Sequence, residues 1–337
     1  MSDAEIAKEL VKSLQRPDGD KSLRPVHSIG ISATGFFEPS PVARNFCTAD
    51  HFCTDSSDVI MRFSNGSGAA TVHDGWSDVR GMAVRFRLSD GSDTDLIAMT
   101  LPEFFAPTPE AFWDFAKMAV PKPVTVETPW QKIAGLLRLI LPMRDPYPGE
   151  TISPDEGAME FADKYDYAQL GVMQAAQIGA PVSYVREAYH AVHTFVVTGQ
   201  DGVKRWVRFS WQPIAGVRKT NPAAPPVDDY LRQELRDRLA EEPARFSLMM
   251  MIGENGDDFN DSTRPWPPHR KRIMMGTLTL DAIPDDQEAD CEKLSFNPGL
   301  LTDGIEKSDD PVLKVRVETY QVSSEWRVGN PCPFSKR

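Results

Sequence analysis

The sequence predicts a single α+β domain, in which helices interrupt an antiparallel sheet or barrel. Strand-like runs rich in β-branched and aromatic residues alternate along the chain with amphipathic helical stretches. No Pro- or Gly-rich segment separates two apolar cores, and 337 residues with 41% apolar content suffice for one large domain. We therefore predict a helical arm at residues 1–20 and one domain over residues 21–337.

Four runs predict strands with short turns between them. GMAVRFR (81–87) and MMGTLTLDAI (274–283) alternate apolar with other side chains, as expected when one face of a strand is buried. HTFVVTG (193–199) and KRWVRFSW (204–211) lie on either side of the turn sequence GQDG. Such runs favour antiparallel pairing in a sheet or barrel.

Capping residues mark where helices begin. Ser2 and Glu5 have the spacing of a capping box before an apolar stripe with helical spacing. Thr108 precedes a proline at the first helical position, as a helix start requires. The remaining predicted helices cover residues 128–141, 153–176 and 227–242.

The charge and the apolar segments limit the kinds of partner. A net charge of −12 argues against a nucleic-acid surface or an anionic membrane. The most apolar segment, residues 133–143, contains Arg138 and is too short to cross a bilayer. The amino terminus begins with acidic residues and lacks the apolar core of a signal peptide. We therefore expect a cytoplasmic protein with no membrane span.

Two positions carry candidate chemistry. His27 follows Arg24 by three residues in a strand-like segment, which suits either a buried core histidine or a catalytic base. Arg316 and Tyr320 are four residues apart and share a face if residues 312–330 are helical. Taken alone, that pair is equally typical of a tyrosine hydroxyl hydrogen-bonded on a helix surface.

Further motifs accompany these residues, and in chain order they resemble those of the haem catalases. The motifs are RPVH (24–27), RFS (62–64), DVRGMAV (78–84), PEFF (102–105), and RVETY with RVG (316–320 and 327–329). Each motif is weak by itself, but together they extend the resemblance from Leu23 to Asn330.

This resemblance implies both a fold and a cofactor. The expected fold is an antiparallel β-barrel core with helical insertions, a helix near residues 312–325 that carries the proximal tyrosine, and no C-terminal flavodoxin-like domain. The expected cofactor is haem b. No NADPH is expected, because residues 174–195 differ strongly from the corresponding segment of the catalases that bind it.

The resemblance also implies roles for individual residues. Tyr320 would be the axial iron ligand, kept as a phenolate by the iron and by Arg316. His27 would be the general base that moves the peroxide proton, oriented by Ser64. The remaining implied haem contacts are the propionate-binding Arg24, Arg62 and Arg327, and the pocket residues Val26, Met99, Phe104 and Phe112. The other histidines, at positions 51, 73, 190, 193 and 269, are expected to be surface or structural residues.

The chain departs from the catalase pattern at both faces of the expected site. Met99 stands where catalases carry a distal asparagine, and Thr100 is the only nearby substitute for its polar group. Such a change should impair reaction with a second peroxide more than oxidation of an organic molecule at the haem edge. On the proximal side, Gln321 and Ser324 replace the usual proline and histidine.

These departures favour a haem peroxidase that uses hydrogen peroxide or an organic hydroperoxide, through ferryl haem, to oxidise a small organic reductant. A catalase is an alternative that the missing asparagine disfavours. A fatty-acid hydroperoxide isomerase of the allene oxide synthase type is a second alternative. Val26 disfavours it, because those isomerases typically have threonine before the distal histidine. A haem carrier would not need His27 and Ser64. If the protein assembles with itself, a dimer is expected rather than a tetramer.

Overall fold

The computed structural model describes residues 1–15, 23–66, 73–118, 157–221, 224, 226–287 and 293–328. Within these ranges ten strands form one antiparallel sheet. The strands are β1 (Gly30–Pro39), β2 (Ser57–Asn65), β3 (Arg80–Arg87), β4 (Asp93–Met99), β5 (Tyr189–His190), β6 (Phe195–Thr198), β7 (Lys204–Pro213), β8 (Ala244–Ile252), β9 (Arg272–Ala282) and β10 (Ile305–Lys307). All four strand-like runs of the sequence lie in this sheet.

Eight of the described strands close into a barrel. Their order is β1-β2-β3-β4-β5-β7-β8-β9, and β9 pairs back with β1. β6 and β10 extend the sheet outward from β7. Closure leaves no unpaired barrel edge, which satisfies the main-chain hydrogen bonds of the central strands.

Aromatic side chains fill the interior of the barrel. The ring of Phe37 lies 5.3 Å from that of Phe86 and 6.1 Å from that of Trp211, both nearly perpendicular to it. His51 belongs to the same packed group, since its ring stacks 4.5 Å from Phe86. The barrel is therefore a solid core, and a functional site has to lie outside it.

Helices pack on the outside of the barrel. They are α1 (Asp3–Leu14), α2 (Ala43–Phe46), α3 (Pro109–Met118), α4 (Ala158–Lys164), α5 (Asp166–Gln177), α6 (Tyr230–Glu241) and α7 (Pro311–Val328). α1, α3 and α7 share a second apolar cluster that contains Ile6, Leu10, Phe104, Phe112 and Val315. Among the described residues, no helix is both long and apolar enough to cross a bilayer.

The predicted helix starts are confirmed at two positions. The N–H of Ser2 donates to Glu5 Oε2 at 2.8 Å and the Ser2 side chain accepts from the N–H of Glu5, which completes the capping box. Thr108 Oγ1 accepts from the N–H of Ala111 at 3.2 Å. The predicted helix at 128–141 and residues 153–156 lie outside the described residues.

One predicted helix is two helices in the structure. The prediction for residues 153–176 is wrong at Tyr165, whose extended backbone (φ −132°) separates α4 from α5. This break lets the Tyr165 ring pack 4.7 Å from Phe161 and 5.3 Å from Tyr167. Packing of three aromatic rings outweighs continuation of the helix.

Candidate active site

His27 lies just before β1 with an unusual backbone. Its φ of +56° is in the left-handed region, which few residues other than glycine adopt. Its N–H donates to the carbonyl of Gly66 at 3.1 Å, and its own carbonyl accepts from Arg62 Nη1 at 2.8 Å. Hydrogen bonds to its N–H and its carbonyl therefore stabilise His27 in an intrinsically unfavourable backbone conformation.

The imidazole of His27 is oriented by β2 and β3. Its Nδ1 lies 3.0 Å from Ser64 Oγ, and Ser64 pairs across the sheet with Gly81. A Cβ at position 81 would lie 2.7 Å from Ser64 Oγ and 2.9 Å from His27 Nδ1. Only glycine leaves room there for the Ser64–His27 hydrogen bond. Because Ser64 engages Nδ1, the other ring nitrogen, Nε2, is the one that can act on a substrate.

Positive charge surrounds His27. Burial, followed by the charges of Arg62, Arg316, Arg24 and Arg80, lowers the pKa of His27 from 6.5 to about 3. The imidazole is therefore neutral at physiological pH and can accept a proton.

Main-chain carbonyls hold three of these arginines in place. Arg62 Nη2 donates to the carbonyl of Ser28 at 3.1 Å, and Arg24 Nη2 donates to that of Leu294 at 2.7 Å. Arg80, which is 1% exposed, donates through Nη2 to the carbonyl of Asp74 at 2.7 Å. Sequence reasoning did not single out Arg80, although it lies within the DVRGMAV motif.

Met99 is the last residue of β4, and Thr100, which follows it, is directed elsewhere. Met99 pairs directly with Gly81, so its side chain shares the face on which His27 and Ser64 lie. The Thr100 hydroxyl accepts a 2.9 Å hydrogen bond from the N–H of Arg80. The structure therefore brings Met99, rather than the Thr100 hydroxyl, to the His27 side of the strand.

A second group of site residues is built on α7. Asp310 precedes this helix and caps it, since its Oδ1 accepts from the N–H of Val312 at 2.8 Å and of Leu313 at 3.2 Å. Farther along α7, Arg316 and Tyr320 are one turn apart on the same helix face, and Arg316 Nη2 donates to Tyr320 Oη at 3.2 Å. The predicted helical spacing of this pair is confirmed.

His193 links the two ends of this group. Its Nε2 lies 2.8 Å from Arg316 Nη1 and its Nδ1 lies 2.7 Å from Asp310 Oδ2. Arginine can only donate, so Nε2 accepts and the ring proton is on Nδ1, directed at Asp310. Burial lowers the pKa of His193, which keeps the ring neutral in this tautomer despite the opposing effect of Asp310. His193 thus holds the guanidinium of Arg316 in position. The sequence analysis predicted a structural histidine here but not this contact with Arg316.

The aromatic candidates pack between these two groups. Phe104 and Phe112 meet edge to face at 5.2 Å, and both are buried in the cluster that Met99 adjoins. Arg316 Cζ lies 5.4 Å from the centre of the Phe104 ring, so this ring contacts the α7 group directly. Arg327 donates through Nη1 to Ser323 Oγ at 2.9 Å on the last turns of α7.

These residues fit the haem that the sequence resemblance implies. Val26, His27, Met99, Arg316 and Tyr320 are half-buried, so a bound group can contact them. The phenol oxygen of Tyr320 is an anionic oxygen donor once deprotonated, which suits ferric iron. The guanidinium groups near His27 suit two carboxylates.

The chain is similar to known proteins over most of its length. The family model described as Catalase matches residues 11–133 and 149–332. A catalase-related peroxidase of Mycolicibacterium paratuberculosis is 32% identical over 311 residues, covering 91% of this chain and 89% of that protein. One of Synechococcus elongatus is 27% identical over 300 residues, covering 88% and 81%.

Solved structures show the same fold. A bacterial catalase matches with a TM-score of 0.74 at 21% identity, and a fungal catalase with 0.72 at 22%. Both matches cover 91% of this chain but only 57% and 59% of the catalase chains. By its family-model match and its relatives, this chain belongs to the catalase family.

Proposed function

We propose that the protein is a haem-dependent peroxidase, an oxidoreductase that reduces hydrogen peroxide or an organic hydroperoxide and oxidises an organic co-substrate. The observation that carries this proposal is the neutral imidazole of His27, which Ser64 orients among four guanidinium groups. The relatives in Mycolicibacterium and Synechococcus bear the name catalase-related peroxidase, which supports the same reaction class.

His27 performs the proton transfer. Its Nε2 accepts the proton from one peroxide oxygen and returns it to the other, so that water or an alcohol can leave. The bond from Nδ1 to Ser64 keeps the ring in the orientation that directs Nε2 at the substrate. The surrounding positive charge keeps the ring unprotonated before the peroxide arrives.

Tyr320 is the proposed iron ligand, and Arg316 holds its oxygen in place. The guanidinium donates a hydrogen bond to the phenol oxygen. When bound, haem b supplies the redox centre at which the peroxide oxygen–oxygen bond breaks. Arg24, Arg62 and Arg327 are the proposed partners of its propionates.

Met99 favours the peroxidase over a catalase. A catalase must orient a second hydrogen peroxide, which is small and polar, whereas Met99 presents a thioether on the His27 face. A thioether is a weak hydrogen-bond acceptor, so it holds a second hydrogen peroxide poorly. An apolar wall beside His27 also suits the alkyl part of an organic hydroperoxide.

The ratio of dioxygen evolved to dye oxidised, per peroxide consumed, tests this proposal. The haem-loaded protein is expected to oxidise a phenolic dye and to release little dioxygen, and Met99→Asn is expected to raise the dioxygen share. Met274→Asn is the matched control, because Met274 is a 42% exposed methionine on β9. Dioxygen release far above dye oxidation in the wild type would indicate a catalase. Conversion of a fatty-acid hydroperoxide without any reductant would indicate an isomerase.

A further inference from the structure

A row of aromatic rings leads from Arg316 to the outer helices. Arg316, which donates to Tyr320, also lies 5.4 Å from the centre of the Phe104 ring. Phe104 in turn stacks on Phe105 with 4.1 Å between ring centres. We call the following residues the aromatic row: Phe104, Phe105, Phe115, Phe161, Tyr165 and Tyr167.

Ring-to-ring contact continues without a gap along this row. Phe105 lies 3.9 Å from Phe115, which meets Phe161 edge to face at 5.3 Å. Phe161 lies 4.7 Å from Tyr165 and 6.1 Å from Tyr167. The two tyrosines stack at 5.3 Å with only 21° between their planes. The packed phenylalanine rings are not oxidised themselves, but they leave no gap in the path along which an electron tunnels from the tyrosines.

The chemistry of the row changes at its outer end. Its inner members are phenylalanines, which resist oxidation, whereas its last two are phenols, which lose an electron and a proton far more easily. Tyr165 and Tyr167 are half-buried, whereas Phe104 and Phe161 are buried. The break between α4 and α5 is what brings the two rings together on Phe161.

Tyr167 lies beside an acidic residue and an exposed apolar one. Burial, then Tyr165 and then the negative charge of Asp114 raise the pKa of the Tyr167 phenol, so its proton leaves together with the electron rather than before it. Leu170, one helical turn after Tyr167, is 42% exposed and widens the apolar surface beside the ring. A flat aromatic molecule can stack there on a phenol ring and cover Leu170.

We propose that Tyr167, stacked on Tyr165, is a second oxidation site, at which a bulky phenol or arylamine gives up an electron without entering the buried site. This inference rests on the proposed peroxidase function, whose hydroperoxide substrate is the oxidant. Tyr167 loses one electron inward along the aromatic row and its phenol proton to solvent, leaving a tyrosyl radical. The aromatic reductant then gives one electron and one proton to Tyr167, which restores the phenol and leaves the reductant as a radical.

Freeze-quenched electron paramagnetic resonance tests the proposal on the haem-loaded full chain. After addition of peroxide, the wild type is expected to show a tyrosyl radical, and a nitroso spin trap is expected to label Tyr165 or Tyr167 by peptide mass spectrometry. The double variant Tyr165→Phe/Tyr167→Phe keeps the ring packing and is expected to lose both signals. Single Tyr167→Phe is the milder variant if the double variant loses haem.

Tyr230→Phe is the matched control, because Tyr230 is a half-buried tyrosine outside the row, bonded to the carbonyl of Pro181. It is expected to keep the radical and the trap label. Oxidation of a bulky phenol should fall in the Tyr167 variants, while oxidation of a small phenol stays unchanged.

The negative outcomes distinguish the second oxidation site from the proposed peroxidase function. A peroxide-induced change of the Soret band without a tyrosyl radical, or a radical unchanged in the double variant, would overturn the second site and leave the peroxidase proposal intact. A radical that disappears in Trp206→Phe instead would move the site to that 40% exposed residue and also overturn the inference. If no peroxide changes the Soret band at all, the proposed function itself fails.

Discussion

Arg316 donates to the phenol oxygen of Tyr320 across 3.2 Å, one helical turn apart on α7. The same guanidinium donates to His193 Nε2 at 2.8 Å, so its position is fixed by a residue outside the helix. Asp310 in turn holds His193 and caps the helix. The guanidinium beside the phenol is therefore held by a chain of two further side chains, His193 and then Asp310.

Removing the charge of Arg316 should weaken haem binding. Arg316→Met keeps the unbranched stem of the side chain but removes the guanidinium that lies over Phe104 and donates to the phenol. Loss of a hydrogen bond to a charged group costs about 1.5–3 kcal/mol, which corresponds to roughly 10- to 160-fold weaker binding. Haem titration followed in the Soret region measures this, and unchanged affinity would contradict the role of Arg316.

Asp310→Asn should separate the capping role of Asp310 from its effect on His193. Asparagine caps a helix as well as aspartate does, so thermal stability of the chain should change little. Its amide group, however, would direct N–H donors at His193 Nδ1 and force the ring proton onto Nε2, against Arg316. Haem affinity should then fall as in Arg316→Met. Asp310→Ala, which also loses the cap, should lower stability as well as haem affinity.

Two replacements of His27 should differ in stability but not in activity. Asparagine tolerates the left-handed backbone at this position, so His27→Asn should be about 1 kcal/mol more stable than His27→Ala. Both variants lack the base and should react with peroxide about 100- to 10,000-fold more slowly. Stopped-flow spectra and urea unfolding measure the two effects. Equal stability of the variants would contradict the strained backbone, and an unchanged rate would contradict the base.

His51 should make the fold sensitive to acid. Burial lowers the pKa of His51 from 6.5 to about 3. Between these two pH values, His51 is protonated in the unfolded chain but stays neutral in the folded chain. Its contribution to stability is complete above pH 6.5 and falls by up to about 1.4 kcal/mol per pH unit toward pH 3. His51→Phe should flatten this decline, because His51 packs among phenylalanines and its Nδ1 makes no hydrogen bond. His269→Phe, at an exposed position, should leave the pH dependence of the melting temperature unchanged.

Local sequence patterns correctly predicted the four strand-like runs and the shared helix face of Arg316 and Tyr320. Alternation along residues 81–87 located β3, and the four-residue spacing of Arg316 and Tyr320 correctly placed both on one helix face. Such predictions succeed because they depend on neighbours within one element. The resemblance to catalases supplied the pairing of His27 with Ser64, which lie 37 residues apart.

Local sequence patterns could not predict contacts between elements that are distant in the chain. His193 and Asp310 are 117 residues apart, and no periodicity in the sequence connects them. Arg80 was missed because an arginine within a strand pattern gives no sign that its side chain is buried. The break at Tyr165 was missed because helix signals run through it, whereas packing against Phe161 decides its conformation.

An absorption spectrum of the haem-loaded protein, compared with that of Tyr320→Phe, tests the central claim most directly. We predict a Soret band and the visible bands of phenolate-ligated ferric haem in the wild type, with haem loss and altered visible bands in Tyr320→Phe. Identical spectra for the two proteins, or a wild type that takes up no haem when supplied with it, would contradict the assignment of Tyr320 as the iron ligand.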